Sequence, residues 1–353
     1  MRTSLTSELT GGILFSRKMT GEKALILILL LLLAPSCRKT TTFDNFGGFA
    51  QGTTYSVTFG SNGSIDPQEL KSEVEMILKE FDLSLSLYVD SSILSKVNRN
   101  EDVQVDRYFS EAFTKSVEIS RLSGGAFDIT VGPLTRAWGF GPDDYRSFSE
   151  SKLDSLLKLI GMEKVRLENN KVVKTDTAIK FDFNAIAQGY SVDVVSEYLD
   201  SRGIRNSLVE IGGEVRAKGD KNGVLWRIGI DRPEDNNNMP GNNLQAVISM
   251  KDRSLATSGN YRKFYVEDGV KYSHTIDPRT GYPARNTLLS ATILADDCAT
   301  ADGIATACMV MGKDKSVEFL GEHSEYDAYL IFSDADGNFQ TWSTESLKKF
   351  ISQ

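Results

Sequence analysis

The sequence predicts an α+β fold in one compact unit. Predicted strands and helices follow one another irregularly along the 353 residues, without the strict alternation that is typical of a doubly wound parallel sheet. The chain shows no internal repeat and no long linker. Apolar residues make up 40% and charged residues 25% of the composition, as in a folded soluble protein. We therefore expect mixed or antiparallel sheets with packed helices.

The first half of the chain predicts one strand followed by three helices. Asp66 is a suitable N-cap and Pro67 suits the first position of a helix, while Gly124-Gly125 is a typical helix end. The predicted elements are a strand over 52–59, a helix from Asp66 to about Phe81, a helix over 106–123 and, after a polar segment at 141–151, a helix through Leu159.

The second half predicts more strands than helices. Apolar and β-branched runs bounded by polar or glycine residues indicate the strands, and Gly203 ends the first of two helices. The predicted strands cover 164–168, 178–182, 207–211, 226–230, 245–250, 263–266 and 288–294, the helices cover 185–202 and the small-residue segment around Asp302, and an exposed loop covers 234–243.

The charge of the chain argues against nucleic acid as a partner. The formal net charge is −8 and the isoelectric point is near 5.1. No block of basic residues is present that would neutralise a phosphate backbone.

The N-terminus predicts export. Lys23 precedes eleven apolar residues at 24–34, too few to span a bilayer, which needs about 20. A basic residue, a short apolar core and small residues before a cleavage point form an export signal. Cys37 directly after Pro35-Ser36 resembles a bacterial lipobox, in which the cysteine carries the lipid. The alternative is a plain secretory signal with an incidental cysteine.

The segment boundaries follow from this interpretation. Met19 begins what reads as a complete signal, so we expect translation to start there. We predict a signal and lipobox over 1–37, a polar tether over 38–48 and the folded domain over 49–353. The protein is then expected to be lipid-anchored to a bacterial membrane on its periplasmic or extracytoplasmic side.

The two other cysteines are not expected to pair. Cys298 and Cys308 are ten residues apart on one predicted helix, roughly 15 Å at 1.5 Å per residue. A disulfide requires Cα atoms within about 7 Å. The exported domain therefore relies on its core and not on a disulfide framework.

The segment from Tyr272 to Gly312 predicts a site. Asp302 and Thr306 are four residues apart on a predicted helix and so share one face. A carboxylate and a hydroxyl so placed suit a hard cation, which prefers oxygen ligands. His274, one of two histidines in the chain, precedes a tight turn and is a candidate base. The alternatives are an exposed carboxylate, a hydroxyl bonded to its own helix and a structural histidine.

Glycine-marked loops predict a phosphate-bearing ligand. They lie at 123–128, 211–214 and 256–260, and each places backbone N–H groups beside small or hydroxyl side chains. None is a Walker loop or a complete dinucleotide fingerprint. Each is individually more typical of a tight turn. A fourth segment, 182–193, predicts a strand that ends at Asp182 before a helix whose first carbonyls, such as that of Ala187, can face a cation if the helix start is irregular. The alternative is a helix packed closely through Gly189, with Asp182 as its cap.

These segments, in this order, resemble the ApbE family of FAD:protein FMN transferases, also called flavin transferases. The resemblance covers roughly residues 49 to 345. The matching blocks are Gly52-Thr53-Thr54-Tyr55, Ser86-Leu87-Tyr88 with Ser91-Ser92 and Asn98, residues 125–134 with 138–140, residues 182–193, residues 208–214, Ala256-Thr257-Ser258-Gly259, residues 273–278 and Ala301-Asp302-Gly303-Ile304-Ala305-Thr306.

The resemblance implies a magnesium-dependent transfer of FMN from FAD to a threonine hydroxyl of an acceptor protein, with release of AMP. It implies that Asp302, Thr306 and the carbonyl of Ala187 bind the magnesium ion. His274 is the expected catalytic residue, as proton acceptor or as orienting group. The residues expected to contact FAD are Tyr88, Phe127, Asp128, Asp182, Gln188, Tyr190, Glu210, Gly213, Thr257, Ser258 and Gly259, with core packing the alternative for the three aromatic rings.

Two positions depart from the family pattern. Gln51 stands where many members have methionine, and Gln188 stands where the family usually has lysine. The second change removes a positive charge near the expected phosphate site. Two other functions stay open: an FAD pyrophosphatase that releases FMN and AMP to water, and a flavin-binding lipoprotein without catalysis. The resemblance suggests flavin-carrying subunits of membrane redox complexes as acceptors.

Overall fold

An eight-stranded antiparallel sheet forms the centre of the molecule. The computed structural model describes residues 41–61, 63, 65–142, 146–234, 241–260, 264–267 and 270–352. Within these, the strand order is β1-β2-β5-β6-β9-β12-β13-β14. A three-stranded sheet, β15-β8-β7, and two hairpins, β3-β4 and β10-β11, complete the strand pairing. The predicted α+β class with antiparallel sheets is therefore confirmed.

The strands are short to medium in length. Their bounds are β1 Thr42–Ala50, β2 Thr53–Ser61, β3 Val165–Glu168, β4 Lys171–Lys174, β5 Ser207–Ile211, β6 Glu214–Lys218, β7 Trp226–Asp231, β8 Leu244–Met250, β9 Arg253–Gly259, β10 Phe264–Glu267, β11 Val270–Ser273, β12 Leu288–Ala295, β13 Asp327–Ser333, β14 Phe339–Ser343 and β15 Ile351–Ser352.

Eight α-helices lie in the described part of the chain. Their bounds are α1 Pro67–Leu85, α2 Ile93–Asn98, α3 Arg107–Leu122, α4 Gly132–Ala137, α5 Glu150–Leu157, α6 Ala187–Ser201, α7 Cys298–Met311 and α8 Lys313–Glu322. The predicted start of α1 is confirmed, since the Asp66 side chain accepts from the Gln68 N–H. Asp106 caps α3 in the same way by accepting from the Phe109 N–H.

Helices cover one face of the central sheet and the small sheet covers part of the other. Leu70 of α1 and Val195 of α6 pack in one cluster with β1, β2 and β5. Ile304 of α7 packs with α3 and the inner strands in a second cluster. Trp226 and Ile248 of the small sheet pack against Leu255 and other residues of the central sheet. The layered arrangement buries both faces of β9 and β12.

Strand β1 corrects the predicted tether. We predicted a polar tether over 38–48, but residues 42–48 belong to β1, which pairs with β2 over its whole length. The pattern hid the strand because it contains Gly47 and Gly48. Gly48 lies under the ring of Tyr55, where an added Cβ would be 2.7 Å from a ring carbon. Cys37, the predicted signal and the start of the tether lie outside the described residues.

The predicted strand over 178–182 is wrong. Lys180 forms an isolated bridge with Val131, and no longer ladder follows. Phe181 instead exchanges two hydrogen bonds with the Asn98 side chain, at 2.8 and 2.9 Å. Ile179 and Phe181 are buried, so their alternation reflects core packing of an irregular segment. Of the predicted loop over 234–243, residues 235–240 lie outside the described part.

Candidate functional site

The crossing of α6 and α7 holds the predicted metal ligand. Asp302 is buried, and its Oδ2 accepts a hydrogen bond from the Gly189 N–H of α6 at 3.1 Å. The two helices approach closely because residue 189 is glycine. An added Cβ there would lie 2.4 Å from the Cys298 carbonyl oxygen and 2.8 Å from the Asp302 Cβ. The carboxylate therefore faces the first turn of α6.

A second helical oxygen lies one turn further along α7. Thr306 is half-buried, and its Oγ1 is 3.2 Å from the Oγ of Ser258 on β9. Either hydroxyl is able to donate in this contact. Asp302 lies one helical turn before Thr306, and we call these two residues together with Ser258 the oxygen cluster.

The predicted loop at 256–260 is largely strand. Thr257 pairs with Thr292 of β12, and their hydroxyl oxygens are 2.9 Å apart. Gly259 still pairs, opposite Ser290. The ladder from β9 to β6 ends at Leu255, so residues 256–259 pair with β12 alone. Small polar residues masked the strand, whose long-range partner is not visible locally.

Burial dominates the electrostatics of the oxygen cluster. Removal from water raises the pKa of Asp302 to about 7, and the hydrogen bond from Gly189 lowers it. A cation beside the carboxylate would stabilise its ionised form. A carboxylate with hydroxyl and carbonyl oxygens is the set of ligands that Mg²⁺ prefers. Within the residues that the structure covers, no group of three or more His, Cys, Asp or Glu side chains offers a different metal site.

The start of α6 is irregular, as the sequence analysis required. Ile186 at the N-cap has φ −150° and ψ −25° and makes no side-chain capping bond. The Ala187 N–H donates to the Phe183 carbonyl at 2.8 Å. Asp182 is buried and binds the Asn184 N–H and the Thr135 hydroxyl. Ala187 is two residues from Gly189, so the α6 first turn and Asp302 are adjacent.

The turn between β5 and β6 lies against the same end of α6. Gly212 has φ +68°, and an added Cβ there would be 2.1 Å from the Gln188 Nε2. The Gly213 N–H donates to the Glu210 carboxylate at 2.9 Å, so this predicted phosphate donor is already bonded. Burial raises the pKa of Glu210. Gln188, Glu210 and Gly213 are therefore brought together.

Gln51 also lies beside this group. From the sequence it was noted only because it stands where many family members have methionine. It lies in the β1–β2 turn at φ +52°, and its Oε1 accepts from the Ser191 hydroxyl of α6 at 3.0 Å. Its buried Nε2 has no hydrogen-bond partner among the described atoms. A buried amide donor of this kind is uncommon, because an unmade bond costs about 1–3 kcal/mol.

The predicted base lies in a different group of side chains. His274 follows β11 and is half-buried, and its ring makes an edge contact with Phe140 at 6.4 Å between centroids. Phe140 also lies near Tyr265, at 5.4 Å. Tyr88 is 62% exposed.

Two predicted stacking rings belong to the core instead. Phe127 is 2% exposed and packs in the cluster under α3 and α7. Tyr190 is 8% exposed, lies 5.5 Å from the Phe81 ring and donates its hydroxyl to Glu111. Core packing, the alternative interpretation, therefore describes both rings. Apolar spacing alone does not distinguish a packed ring from a ligand platform.

Asp128 lies beside a separate cavity of about 510 Å³. Its carboxylate accepts from the N–H and hydroxyl of Thr130 at 2.7 and 2.6 Å, and burial raises its pKa. Arg121 and Arg279 line the same cavity. The Gly125 N–H donates to the Ser120 carbonyl at 2.8 Å, so the glycine pair ends α3 and does not form a phosphate cradle.

The helix carrying Asp302 starts on a buried ion pair that sequence reasoning missed. The Asp193 carboxylate accepts from the Cys298 and Ala299 N–H groups and pairs with Arg216. The available signal was an aspartate on the buried face of a predicted helix.

Comparisons with known proteins decide the family. The model of the ApbE family matches residues 51–330, about four-fifths of the chain. The chain belongs to the ApbE family. A relative from Vibrio cholerae named FAD:protein FMN transferase is 36% identical over 336 residues, covering 93% of this chain and 99% of the relative. A relative of the same name from Haemophilus influenzae is 35% identical, covering 92% and 96%.

Solved ApbE structures agree with this fold. The flavin transferase ApbE from Vibrio cholerae matches with a TM-score of 0.78 at 35% identity, covering 88% of this chain and 99% of that one. The ApbE protein from Thermotoga maritima matches with a TM-score of 0.76 at 30% identity and the same coverage. The chain is thus an enzyme of the transferase class, as predicted. No helix in the described ranges has the length and apolar character needed to cross a bilayer.

Proposed function

We propose that this ApbE-family enzyme transfers FMN from FAD to a threonine hydroxyl of an acceptor protein, releases AMP and depends on magnesium. Flavin transfer from FAD to a protein is the activity that the names of its relatives give. Magnesium and the threonine acceptor go beyond those names. The oxygen cluster is the single observation that carries both the metal and the location of the reaction.

The residues of this chain fit magnesium. Asp302, Thr306 and the Ala187 carbonyl would hold the ion, and Ser258 lies within reach of Thr306. Bound magnesium supplies positive charge that offsets the negative charge on the pyrophosphate oxygens. The Gly189 N–H binds Oδ2 of Asp302, and Oδ1 would then face the ion.

The proposed reaction is a substitution at phosphorus, in which one P–O bond forms and another breaks. The threonine oxygen of the acceptor bonds to the phosphorus on the FMN side of FAD. The bond from that phosphorus to the bridging oxygen breaks, and AMP leaves with the bridging oxygen. The threonine proton must be accepted as its oxygen attacks.

We assign the proton acceptor to His274. It is half-buried, and its ring makes an edge contact with Phe140. The support is that His274 lies in the block at 273–278 that resembles the family, and that an imidazole can accept a proton near neutral pH. The other histidine, His323, lies outside the matching blocks and its ring stacks on Phe319.

The nucleotide is assigned to the surface between α6 and the β5–β6 turn. Gln188, Glu210 and Gly213 meet there, and Ser258 of β9 contacts Thr306 of the oxygen cluster, with Thr257 and Gly259 beside it on the same strand. Asp182 supports the start of α6 from below. Tyr88 supplies the exposed ring for stacking. The side chains of Phe127 and Asp128 are buried, and the Asp128 carboxylate is bonded to Thr130. We therefore assign them a supporting role in the packing and no direct contact with FAD.

The test uses the purified full chain in detergent with FAD, Mg²⁺ and a domain bearing an acceptor threonine. Intact mass should show an increase of one FMN on the acceptor, with AMP released in equal amount. Asp302→Ala should abolish this turnover. FMN and AMP released with several different acceptor domains but without an adduct would identify a pyrophosphatase. Bound, unbroken FAD would identify a non-catalytic flavin carrier.

We further propose that the enzyme is exported and anchored by lipid on Cys37, facing the periplasmic or extracytoplasmic side. The basis is the lipobox-like sequence, and the matching acceptors are flavin-carrying subunits of membrane redox complexes. Mass analysis of the N-terminal peptide from membranes should show cleavage before Cys37 and a lipid adduct. Cys37→Ala should release the protein from the membrane fraction. An unmodified Cys37 in a soluble product would refute the anchor.

A further inference from the structure

We infer that Asp193, neutralised by Arg216, is a positioning residue that sets the place of Asp302 for metal binding. The inference rests on the proposed metal site. It concerns a carboxylate on α6 that binds the start of α7, the helix on which the oxygen cluster lies.

The first four N–H groups of α7 show how this helix is held. Helix starts leave these groups without partners in their own helix. The Cys298 N–H lies 2.9 and 2.8 Å from the two Asp193 carboxylate oxygens, and the Ala299 N–H is 2.9 Å from Oδ2. Two of the four groups are therefore bonded to a different helix.

The other two groups are satisfied locally. The Thr300 N–H donates to the Asp297 carboxylate at 2.8 Å, and the Ala301 N–H donates to the Asp297 carbonyl at 3.2 Å. Two aspartates thus share the start of α7. Asp297 belongs to the same segment and caps it, whereas Asp193 connects it to α6.

Arg216 makes an ionised Asp193 tolerable in the interior. The guanidinium of this β6 residue pairs with Oδ1, and the two side chains are only 14% and 5% exposed. Burial raises the pKa of Asp193 to about 6, while Arg216 and the two N–H groups lower it. At neutral pH the carboxylate is therefore largely ionised, which strengthens its bonds to the helix start.

Two contacts one turn apart fix the register of the helix pair. Gly189 binds Asp302, and four residues further along α6 Asp193 binds Cys298, which is four residues before Asp302 on α7. The first contact runs from backbone to carboxylate and the second from carboxylate to backbone. Because each turn spans about 5.4 Å, neither contact survives a sliding of one helix past the other.

Loss of the Asp193 contact should therefore change the position of Asp302, which lies one helical turn after Cys298 on α7. With only the Gly189 contact left, α7 is held against α6 at a single point, and the position of the Asp302 carboxylate relative to the Ala187 carbonyl is less firmly set. Residues that orient metal ligands typically change metal affinity by about 10–100-fold when removed.

The test compares two aspartates that bind the same helix start. Asp193→Asn and Asp297→Asn each remove one charge from it, but only the first changes the connection to α6. Mn²⁺ alone is titrated into each full-length variant in detergent and followed by electron paramagnetic resonance, without FAD. Thermal unfolding gives the folded fraction, so that lost stability is not mistaken for lost affinity.

We expect Asp193→Asn to raise the Mn²⁺ dissociation constant at least about tenfold and Asp297→Asn to change it less than about twofold. Equal effects of the two variants in folded protein would overturn the inference. Should Asp193→Asn not fold, Asp193→Glu replaces it, since it keeps the charge and moves the carboxylate by one methylene. An unchanged affinity in that variant would equally overturn it.

Asp302→Ala separates this inference from the proposed function. If Asp302→Ala leaves Mn²⁺ binding unchanged, the metal site itself is wrong and the inference falls with it. If Asp302→Ala abolishes binding while Asp193→Asn binds as the wild type does, only the positioning role is refuted. A double variant, Asp193→Asn with Arg216→Gln, should recover stability by removing the unpaired cation without restoring Mn²⁺ affinity.

Discussion

Gly189 and Asp302 are joined by a backbone-to-carboxylate hydrogen bond of 3.1 Å at the point where α6 and α7 come closest. The contact exists because position 189 has no side chain, since an added Cβ would be 2.4 Å from a backbone oxygen and 2.8 Å from the Asp302 Cβ. Helix packing and the placement of the proposed metal ligand thus both depend on this pair.

Gly189→Ala should destabilise the protein by about 1–3 kcal/mol, because the methyl group has to push the two helices apart. Proposed magnesium binding should weaken with it. Gly321→Ala is the matched control, since this glycine also lies in a helix and an added Cβ there meets nothing within 4 Å. That variant should be neutral or slightly stabilised. Chemical denaturation of both variants measures the difference, and equal stabilities would contradict the close contact.

Stability of the metal-free enzyme should fall as pH rises from about 4 to about 7. The folded-state pKa of Asp302 is raised to about 7 by burial, from an ordinary value of 3.8. A folded-state pKa above the unfolded value means that the folded protein favours the protonated carboxyl. The cost of ionising this carboxyl in the folded state is therefore absent below about pH 4 and fully present above about pH 7. The loss of stability should therefore build up between these two pH values.

Bound magnesium should offset the cost of burying the ionised Asp302 carboxylate. The rise in melting temperature that magnesium causes should therefore grow between about pH 4 and pH 7. Asp302→Asn should lack this component of the pH dependence, because the amide oxygen still accepts from Gly189 but carries no proton equilibrium. Melting temperatures at several pH values, with and without Mg²⁺, provide the measurement. An Asp302→Asn variant with the wild-type pH profile would show that another group is responsible.

Thr306→Val should raise the magnesium concentration needed for half-maximal transfer at least about tenfold, since it removes a ligand oxygen but keeps the shape of the side chain. The variant should remain folded. Thr114→Val is the control, because Thr114 is an exposed helical threonine whose hydroxyl binds the Ser110 carbonyl. Equal magnesium dependence of the two variants would exclude Thr306 from the metal site.

His274→Gln should lower FMN transfer about 10²–10⁴-fold while FAD binding is retained, as expected when a general base is removed. His323→Gln should have little effect on transfer, because His323 packs on Phe319. Single-turnover rates with saturating FAD separate chemistry from binding. A His274→Gln enzyme that transfers FMN at the wild-type rate would exclude the assigned role.

Gln188→Lys should increase the affinity for FAD, most strongly at low ionic strength, because it adds a positive charge near the assigned phosphate site. The Gln188 amide lies above Gly212, so the substitution places an ammonium group beside the β5–β6 turn. Flavin fluorescence titrations at low and high salt, with riboflavin as an uncharged control ligand, measure the effect. A gain that is the same for riboflavin would not be electrostatic in origin.

The helix spacing of Asp302 and Thr306 was predictable, because four residues define one helical face whatever the surroundings. The strand character of Thr257–Gly259 was not, since it depends on pairing with β12 more than thirty residues away. Gly47 and Gly48 likewise obscured β1, whose stability comes from the Tyr55 ring and the β2 ladder. Local patterns omit such partners.

The predicted flavin platform shows a second limit. Phe127, Tyr88 and Tyr190 are all aromatic residues in matching blocks, and the sequence does not distinguish them. Phe127 and Tyr190 are buried in the core, whereas Tyr88 is exposed. Burial is set by the packing of α3, α6 and α7 together, which no single segment encodes. The ion pair of Asp193 and Arg216 was missed for the same reason, because its partners come from three separate elements.

Because both α7 cysteines are buried, the enzyme should respond little to oxidants and reductants in its surroundings. Cys298 and Cys308 are fully buried and unpaired, and burial raises the pKa of the Cys308 thiol to about 12. Reaction with oxidants and disulfides proceeds through the thiolate, which is scarce at such a site. The folded domain is therefore inert to thiol exchange, and its activity should be the same in reducing and oxidising media.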